Sequence, residues 1–379
     1  MRQNIVIDNQ KEKELLADLQ ARTDIKAERV KRVLALPDLS RTEGSPLKAI
    51  IDNVLQIPEF ADFDNIIIPE IISTDILFDL FDFAKDHPAR SESDTYYVDD
   101  KNVLRTHDTV MWHYYLQNPE IQERIAKKES VGVFCYGKVY RKDEVDRHHM
   151  NVFHQMGGLY LVPDDQKILT LEDLKNALTL IVKSIFGAGV NFRFNVDTFP
   201  YTDPSLEVEI ECNGKWLELL GGGMPKKLVL KNFAVEGYNG WAYGFGLERL
   251  AIAKMEIPDI RIFWSQDARI KEQLKNINNK YKEVSKYPAI ARDISFIIDK
   301  SINLNNYYEL VRDLGENMIE QVELMDQYEN DEKFGADKKS YTFHIVYRSL
   351  EKTLTDGEVN TIHDKITEKT KQEFSAIIR

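Results

Sequence analysis

One stretch, from Val131 to Val162, constrains the fold of this chain more than any other. VGVFCYGKVYRK and VFHQMGGLYLV are rich in β-branched and aromatic residues, and both read as strands. Between them lies a polar, histidine-bearing loop, so the two strands form an antiparallel pair with a long connection. Further strand signals follow in VNFRFNV, SLEVEIEC, KWLELLGGG and WAYGFG. Helix signals lie between and after them. TLEDLKNALTLIVKSIFG has Thr170 as a cap, Asp173 at the capping-box position and Gly187 as a stop, and GLERLAIAKM follows WAYGFG. Strands and helices in this order predict an α+β chain with a large mixed or antiparallel sheet rather than a βαβ repeat.

The flanks differ in texture. Residues 1–56 read as a helical N-terminal region, with apolar positions such as Leu15, Leu16, Ile25, Val30, Val33 and Leu34, broken by Pro37 and by Ser45–Pro46. Residues 57–280 hold the sheet. Residues 281–379 read as ARDISFII (strand), NLNNYYELVRDLGENM (helix), EQVELMDQY and SYTFHIVY (strands) and DGEVNTIHDKITEKTKQEF (helix). This βαββα order predicts a small split-βαβ sandwich with its boundary near Tyr281–Pro288.

No run of about 18 apolar residues is present, which argues against a membrane span. The N-terminal stretch lacks a secretory apolar core and mixes acidic with basic residues, so a cytoplasmic location is the default expectation. Two cysteines, Cys135 and Cys212, form no CxxC pair and read as packed thiols. His148, His149 and His154 lack partner cysteines at zinc-site spacing. The net charge of −13 argues against a generally basic, non-specific nucleic-acid binder but leaves local phosphate contacts open. Two such patches are Lys226, Lys227 and Lys231, and the lysine-bearing stretch from Arg269 to Lys286; each also reads as a solvated helix face.

Among residues suited to chemistry, Arg141 and Phe153 stand out. A guanidinium offers a planar fork to phosphate oxygens, and an aromatic ring offers a stacking surface to a base. Arg141 follows one strand of the antiparallel pair and Phe153 begins the other, while His149 in the loop is a further phosphate contact. The purely structural alternative makes Arg141 a surface ion pair and Phe153 core. Arg249 stands near the start of a helix, where an anion contact fits, and Ala242, Gly244 and Gly246 before it permit close approach of a ligand. GGGM at Gly221–Met224 is no Walker motif and reads as a tight backbone passage. Glu207, Glu209 and Glu218 are carboxylates for a metal or ordinary solvent-facing residues of amphipathic strands. No Ser–His–Asp or Cys–His arrangement has a distinctive local sequence, so a hydrolase is disfavoured.

Several ordered segments together resemble the catalytic chain of the phenylalanine–tRNA ligases. They are HPAR at His87–Arg90, DTYY at Asp94–Tyr97, LRTH at Leu104–His107 and GKVYRKDEVDRHHMNVFHQ at Gly137–Gln155, which looks like class II motif 2. FPYTDPSLEVEIE, WLELLGGGM and GWAYGFGLERLAI continue the likeness, the last as motif 3. YPAIARDISFII, KSYTFHIVYRS and TLTDGEVNTIH resemble a fused ferredoxin-fold anticodon-binding domain. The resemblance implies a class II synthetase antiparallel-sheet catalytic domain over 57–280 and an anticodon-binding-like domain over 281–379. It implies ATP and Mg²⁺, an amino acid and tRNA as ligands, no separate partner subunit, and a monomer or homodimer.

The resemblance also implies roles. Arg141 would hold the α-phosphate and Arg249 the terminal phosphates, receiving charge that develops on the phosphoryl oxygens. Phe153 would stack on adenine, and Asp143 and His149 would complete the nucleotide site. His107 and Gln155 would orient the amino acid's polar end; Phe199, Tyr201 and Ala242 would line its side-chain pocket, with Gly244 leaving room for an aromatic ring. There are departures. Gly157 stands where the family commonly has a glutamate that contacts the substrate ammonium, Asp108–Thr109 replaces Thr–Ser, Met111 and Trp112 are atypical, and Asp146-Arg147-His148-His149 replaces DATH. Asp108 could restore the missing negative charge, or cap the turn after His107. The departures keep two alternatives open: a paralogue using another carboxylate or a non-tRNA acceptor, and a noncatalytic RNA-binding or regulatory module.

Overall fold

The computed structural model describes residues 3–212, 214–284 and 287–379, so Lys286 of the lysine-bearing stretch lies outside the described residues. The chain divides into two compact units.

The first unit comprises residues up to Tyr140, Val152–Glu256 and Leu274–Lys280. Its strands are β1 (Asn4–Val6), β2 (Asp64–Ile67), a short pair β3 (Ile71–Ser73) and β4 (Asn102–Leu104), then β5 (Val131–Tyr140), β6 (Val152–Pro163), β7 (Phe192–Phe199), β8 (Thr202–Cys212), β9 (Lys215–Pro225) and β10 (Tyr238–Gly246). Eight of them form one sheet in the order β1-β2-β5-β6-β10-β9-β8-β7. β1, β2 and β5 pair in parallel and every other neighbour is antiparallel, so the sheet is mixed rather than wholly antiparallel. The predicted antiparallel pair is β5–β6, in register from Val131↔Leu161 to Tyr140↔Val152.

The N-terminal region is not wholly helical, because Asn4–Val6 adds a parallel edge strand beside β2. Three residues are too few to show a period of two, and the strand exists through its partner. Helices α1 (Gln10–Ala21), α2 (Ile25–Leu34) and α3 (Pro46–Leu55) follow. The Asn9, Asp24 and Ser45 side chains accept N–H groups of their first turns, and Pro46 opens α3 where its missing donor costs nothing. α4 (Leu171–Phe186) carries the Thr170–Asp173 capping box and ends at Gly187, whose φ of 90° suits glycine. Its buried residues Leu174, Leu178, Ile181 and Val182 follow helical spacing. Cys135 is buried, which pushes its thiol up to about 12 and leaves it a packing residue. Among the described residues no helix is long and apolar enough to cross a membrane.

The second unit comprises Arg141–Asn151, Ile257–Gln273 and Tyr281–Arg379. Strands β11 (Ile290–Asp299), β12 (Ile319–Tyr328), β13 (Lys338–Tyr347) and β14 (Ile377–Ile378) form an antiparallel sheet in the order β12-β13-β11-β14. Helices α6 (Leu304–Gly315) and α7 (Asp356–Phe374) bury Tyr307, Leu310, Val311, Val359, Ile362 and Ile366 in a core with Phe296, Phe343 and Ile345. This is the ferredoxin-like arrangement, completed by the two-residue β14 that sequence periodicity did not reveal. In the first unit, α5 spans Leu247–Met255 directly after β10.

Candidate active site

The register of the large sheet builds one glycine-floored face. Gly157 of β6 lies opposite Gly244 of β10, Gly244 opposite Gly221 of β9, and Gly221 opposite Glu207 of β8. Directly opposed residues share a face, so the three glycines leave a strip without side chains. Ala242 and Gly223 extend the strip by one opposed pair. On β6, Phe153 and Gln155 lie on the same face as Gly157 by strand alternation.

Aromatic rings stand above this floor. A β-carbon at Gly221 would come within 2.7 Å of the Phe199 ring, which therefore lies directly over the backbone. The Phe199 ring stacks on Tyr201 at 6.1 Å, and Tyr201 stacks on His107 at 6.3 Å. His107 lies parallel to Phe83 at 5.9 Å, and Trp112 meets Tyr201 edge-on at 5.8 Å. Trp112 is thus a wall behind the pocket, held with Met111 in the apolar core. The polar end is joined to the wall, because the Asp108 N–H donates to Gln155 Oε1 at 3.2 Å. The structure gathers His107, Asp108, Gln155, Phe199, Tyr201, Ala242 and Gly244 around this strip, with aromatic rings to one side, small residues along the floor and polar groups at one end.

β6 and α5 are tied by a buried pair that local sequence did not announce. Glu248 is 2% exposed, and its carboxylate accepts the His154 N–H at 2.9 and 3.1 Å and meets His154 Nδ1 at 2.6 Å. Leu39 N–H donates to His154 Nε2 at 2.9 Å, so the proton of this ring sits on Nδ1 and points at Glu248. His154 follows Phe153 and Glu248 precedes Arg249, so the pair fixes the elements that carry both predicted nucleotide contacts. Arg249 is half exposed and reaches the Glu218 carboxylate at 3.6 Å and its carbonyl oxygen at 3.4 Å. Glu207 accepts from Asn195 at 3.1 Å. Among the described residues no group of three His, Cys, Asp or Glu side chains forms a metal cage.

The loop residues Arg141, Asp143 and His149 belong to the second unit. Asp146 accepts the backbone N–H groups of His148 and His149 at 2.6 and 2.8 Å and meets His149 Nδ1 at 2.8 Å. Burial raises the Asp146 carboxyl, but these donors outweigh it and hold it at about 2. Val322 N–H donates to the Val145 carbonyl at 3.0 Å, and Arg312 donates to the Asp143 and Glu144 carbonyls. Arg147, one of the departures from the family pattern, pairs with the buried Glu320, which also binds Arg348.

Comparison with known proteins agrees with this architecture. Residues 33–274 match the family of tRNA synthetases class II core domain (F), and residues 285–379 match the ferredoxin-fold anticodon binding domain. The chain is 38% identical over 320 residues to the chloroplastic/mitochondrial phenylalanine–tRNA ligase of Arabidopsis thaliana, covering 82% of this chain and 71% of that one. The chain belongs to the phenylalanine–tRNA ligase family.

Within that family it is an adenylate-forming ligase with a class II core. It is also similar to the mitochondrial phenylalanine–tRNA ligase of Mus musculus, at 33% identity over 351 residues, covering 83% of this chain and 74% of the mouse protein. A probable mitochondrial phenylalanine–tRNA ligase of Drosophila melanogaster is 32% identical over 392 residues, covering 89% and 80%. These names correct the cytoplasmic expectation: the relatives are organellar enzymes, and that outweighs a default drawn from the mixed charge of the N-terminal stretch. Besides Glu248 and His154, sequence reading passed over Arg105. It is buried, donates to the Lys138 carbonyl at 2.8 Å and to the Ile68 carbonyl at 3.3 Å, and so sets the segment leading to His107. A β-carbon at Gly137 would lie 2.7 Å from the Arg105 guanidinium, so only a glycine leaves it room there.

Proposed function

We propose that this chain activates phenylalanine with ATP and transfers it to a phenylalanine-specific tRNA. The observation that carries the reading is the aromatic-walled pocket over the glycine floor. A benzyl side chain is flat and apolar, and the stacked Phe199 and Tyr201 rings with the small Ala242 near them match that chemistry. His107 and Gln155 would turn the α-carboxylate toward the nucleotide. A carboxylate oxygen would attack the α-phosphorus of ATP, forming the phenylalanyl adenylate as the bond to pyrophosphate breaks. A tRNA ribose hydroxyl would then attack the acyl carbon, releasing AMP.

The motif resemblance supports Phe153 as the surface for adenine, Arg141 for the α-phosphate and Arg249 for the terminal phosphates, with Asp143 and His149 as further nucleotide contacts. Mg²⁺ keeps much of its water and binds through one or two carboxylates together with phosphate oxygens, so it needs no all-protein cage. Glu207 and Glu218 are the carboxylates that would meet it, and the ion would neutralise phosphate charge. Glu218 and Arg249 are already neighbours, which fits a shared role at the phosphate end. The fused anticodon-binding domain supports tRNA as the acceptor and a chain that works without a separate partner subunit, as monomer or homodimer.

The test is pyrophosphate–ATP exchange with each standard amino acid in turn. Exchange driven by phenylalanine is expected to exceed that driven by tyrosine by about a hundredfold at most, since an apolar wall rejects one added hydroxyl only weakly. Exchange with no standard amino acid would favour the paralogue that uses another carboxylate.

A further inference from the structure

The geometry points to Asp108 as the residue that recognises the α-ammonium of the substrate, its carboxylate rising over the bare backbone of Gly157 and Gly244. This deepens, and rests on, the reading that the pocket takes phenylalanine.

Asp108 opens the short helical turn Asp108–Val110 after an extended His107, and it is 3% exposed. Its backbone is engaged on both sides: the N–H donates to Gln155 Oε1, and the carbonyl accepts the Met111 N–H. The side chain is thereby aimed at the sheet. A β-carbon built at Gly157 would lie 2.5 Å from one carboxylate oxygen and 2.9 Å from the other, and one built at Gly244 would lie 3.4 Å from an oxygen. The space above these two opposed glycines is therefore occupied by a carboxylate from the opposite wall. A side chain at Gly157 and the carboxylate of Asp108 cannot both be there.

The charge is also in the right place for one part of a zwitterion. Gln155 and His107 mark the polar end of the pocket, next to Asp108 in space and in sequence, while Phe199 and Tyr201 mark the apolar end. A phenylalanine lying along that axis puts its α-carbon beside Asp108. Glu207 shares the sheet face but stands three strands from Gly157, about 14 Å at about 4.8 Å per strand, and already accepts from Asn195. The field of Asp108 is felt locally: the Tyr243 phenol is held well above its ordinary range, by burial first and by this negative charge second. A buried carboxylate is stabilised further by a cation that arrives beside it, and an incoming ammonium is such a cation. The same charge repels a carboxylate ligand that brings no ammonium, so Asp108 separates amino acids from simple aryl acids.

The experiment compares two ligands on the full chain by calorimetry. Phenylalaninol keeps the ammonium and lacks the carboxylate; 3-phenylpropanoate keeps the carboxylate and lacks the ammonium. Asp108→Asn is expected to weaken phenylalaninol about fiftyfold, as for a lost charge-assisted hydrogen bond, and to leave 3-phenylpropanoate within about twofold or tighter. Equal weakening of both ligands, or of neither, overturns the assignment. A second variant guards against general damage: Asp108→Gly with Gly157→Glu brings a carboxylate to the same space from the floor. Recovery of phenylalaninol binding by this pair supports the proposal. Continued loss, with 3-phenylpropanoate bound as by wild type, overturns it. Wild-type protein that binds neither phenylalanine nor phenylalaninol overturns the activation reading and the assignment with it, whereas wild-type binding untouched by Asp108→Asn removes only the assignment.

Discussion

Glu248→Gln is the substitution whose consequence follows most directly from the geometry. The carboxylate is 2% exposed and receives the His154 N–H and Nδ1–H, and the ring is locked in that tautomer by Leu39 N–H on Nε2. Glutamine offers one acceptor oxygen instead of two and places an NH₂ group against donors that cannot reverse. One charge-assisted bond is lost, worth about 1.5–3 kcal/mol, and a buried N–H is left poorly met, so the expected destabilisation is about 2–4 kcal/mol. Denaturant unfolding of the full chain, followed through the transition of the first unit, measures it. Asp165→Asn is the control: Asp165 pairs with Lys128, both side chains are more than half exposed, and its loss should leave the midpoint nearly unmoved. Because Phe153 and Arg249 adjoin the broken pair, KM for ATP should rise in the same variant. An unchanged midpoint would refute the argument, since it would mean that the buried bonds add nothing net to the tie between β6 and α5.

Two further outcomes can be checked independently. Gly221→Ala sets a methyl where the Phe199 ring now lies, 2.7 Å away, and overpacking of about 1–3 kcal/mol predicts a rise of about tenfold in KM for phenylalanine with KM for ATP unchanged, read by exchange kinetics. The Asp146 carboxyl, held at about 2 against an ordinary 3.8, contributes stability that is fully present above the ordinary value and lost as pH falls through the lower one. Carboxyl-carbon NMR should therefore show Asp146 titrating well below the ordinary 3.8, and a midpoint at the ordinary value would contradict the His149 and backbone contacts.

What was legible in the sequence follows the range of the forces involved. The β5–β6 pair, the capped α4 and the glycine run of β9 are written in neighbouring residues, and each is visible in the chain itself. β1 and β14 are not, because strands of three and two residues are defined by partners far along the chain. The pocket residues were named through the family resemblance and not from local pattern, and their supports were not named at all. Glu248 and His154 are separated by 94 residues and Arg105 by 33 from the carbonyl of Lys138, so nothing local marks them. Asp108 lies between: the sequence showed a carboxylate and a glycine exchanged in character, and the coordinates show that the two meet.

The most direct test of the central claim is a single-turnover transfer. The chain is loaded with radiolabelled phenylalanine and ATP, the enzyme-bound adenylate is isolated by gel filtration, and a tRNA transcript cognate for phenylalanine is added. The account predicts a stoichiometric phenylalanyl adenylate whose label passes to the tRNA with release of AMP. An adenylate that does not form from phenylalanine, or that forms and never discharges to tRNA, would contradict it.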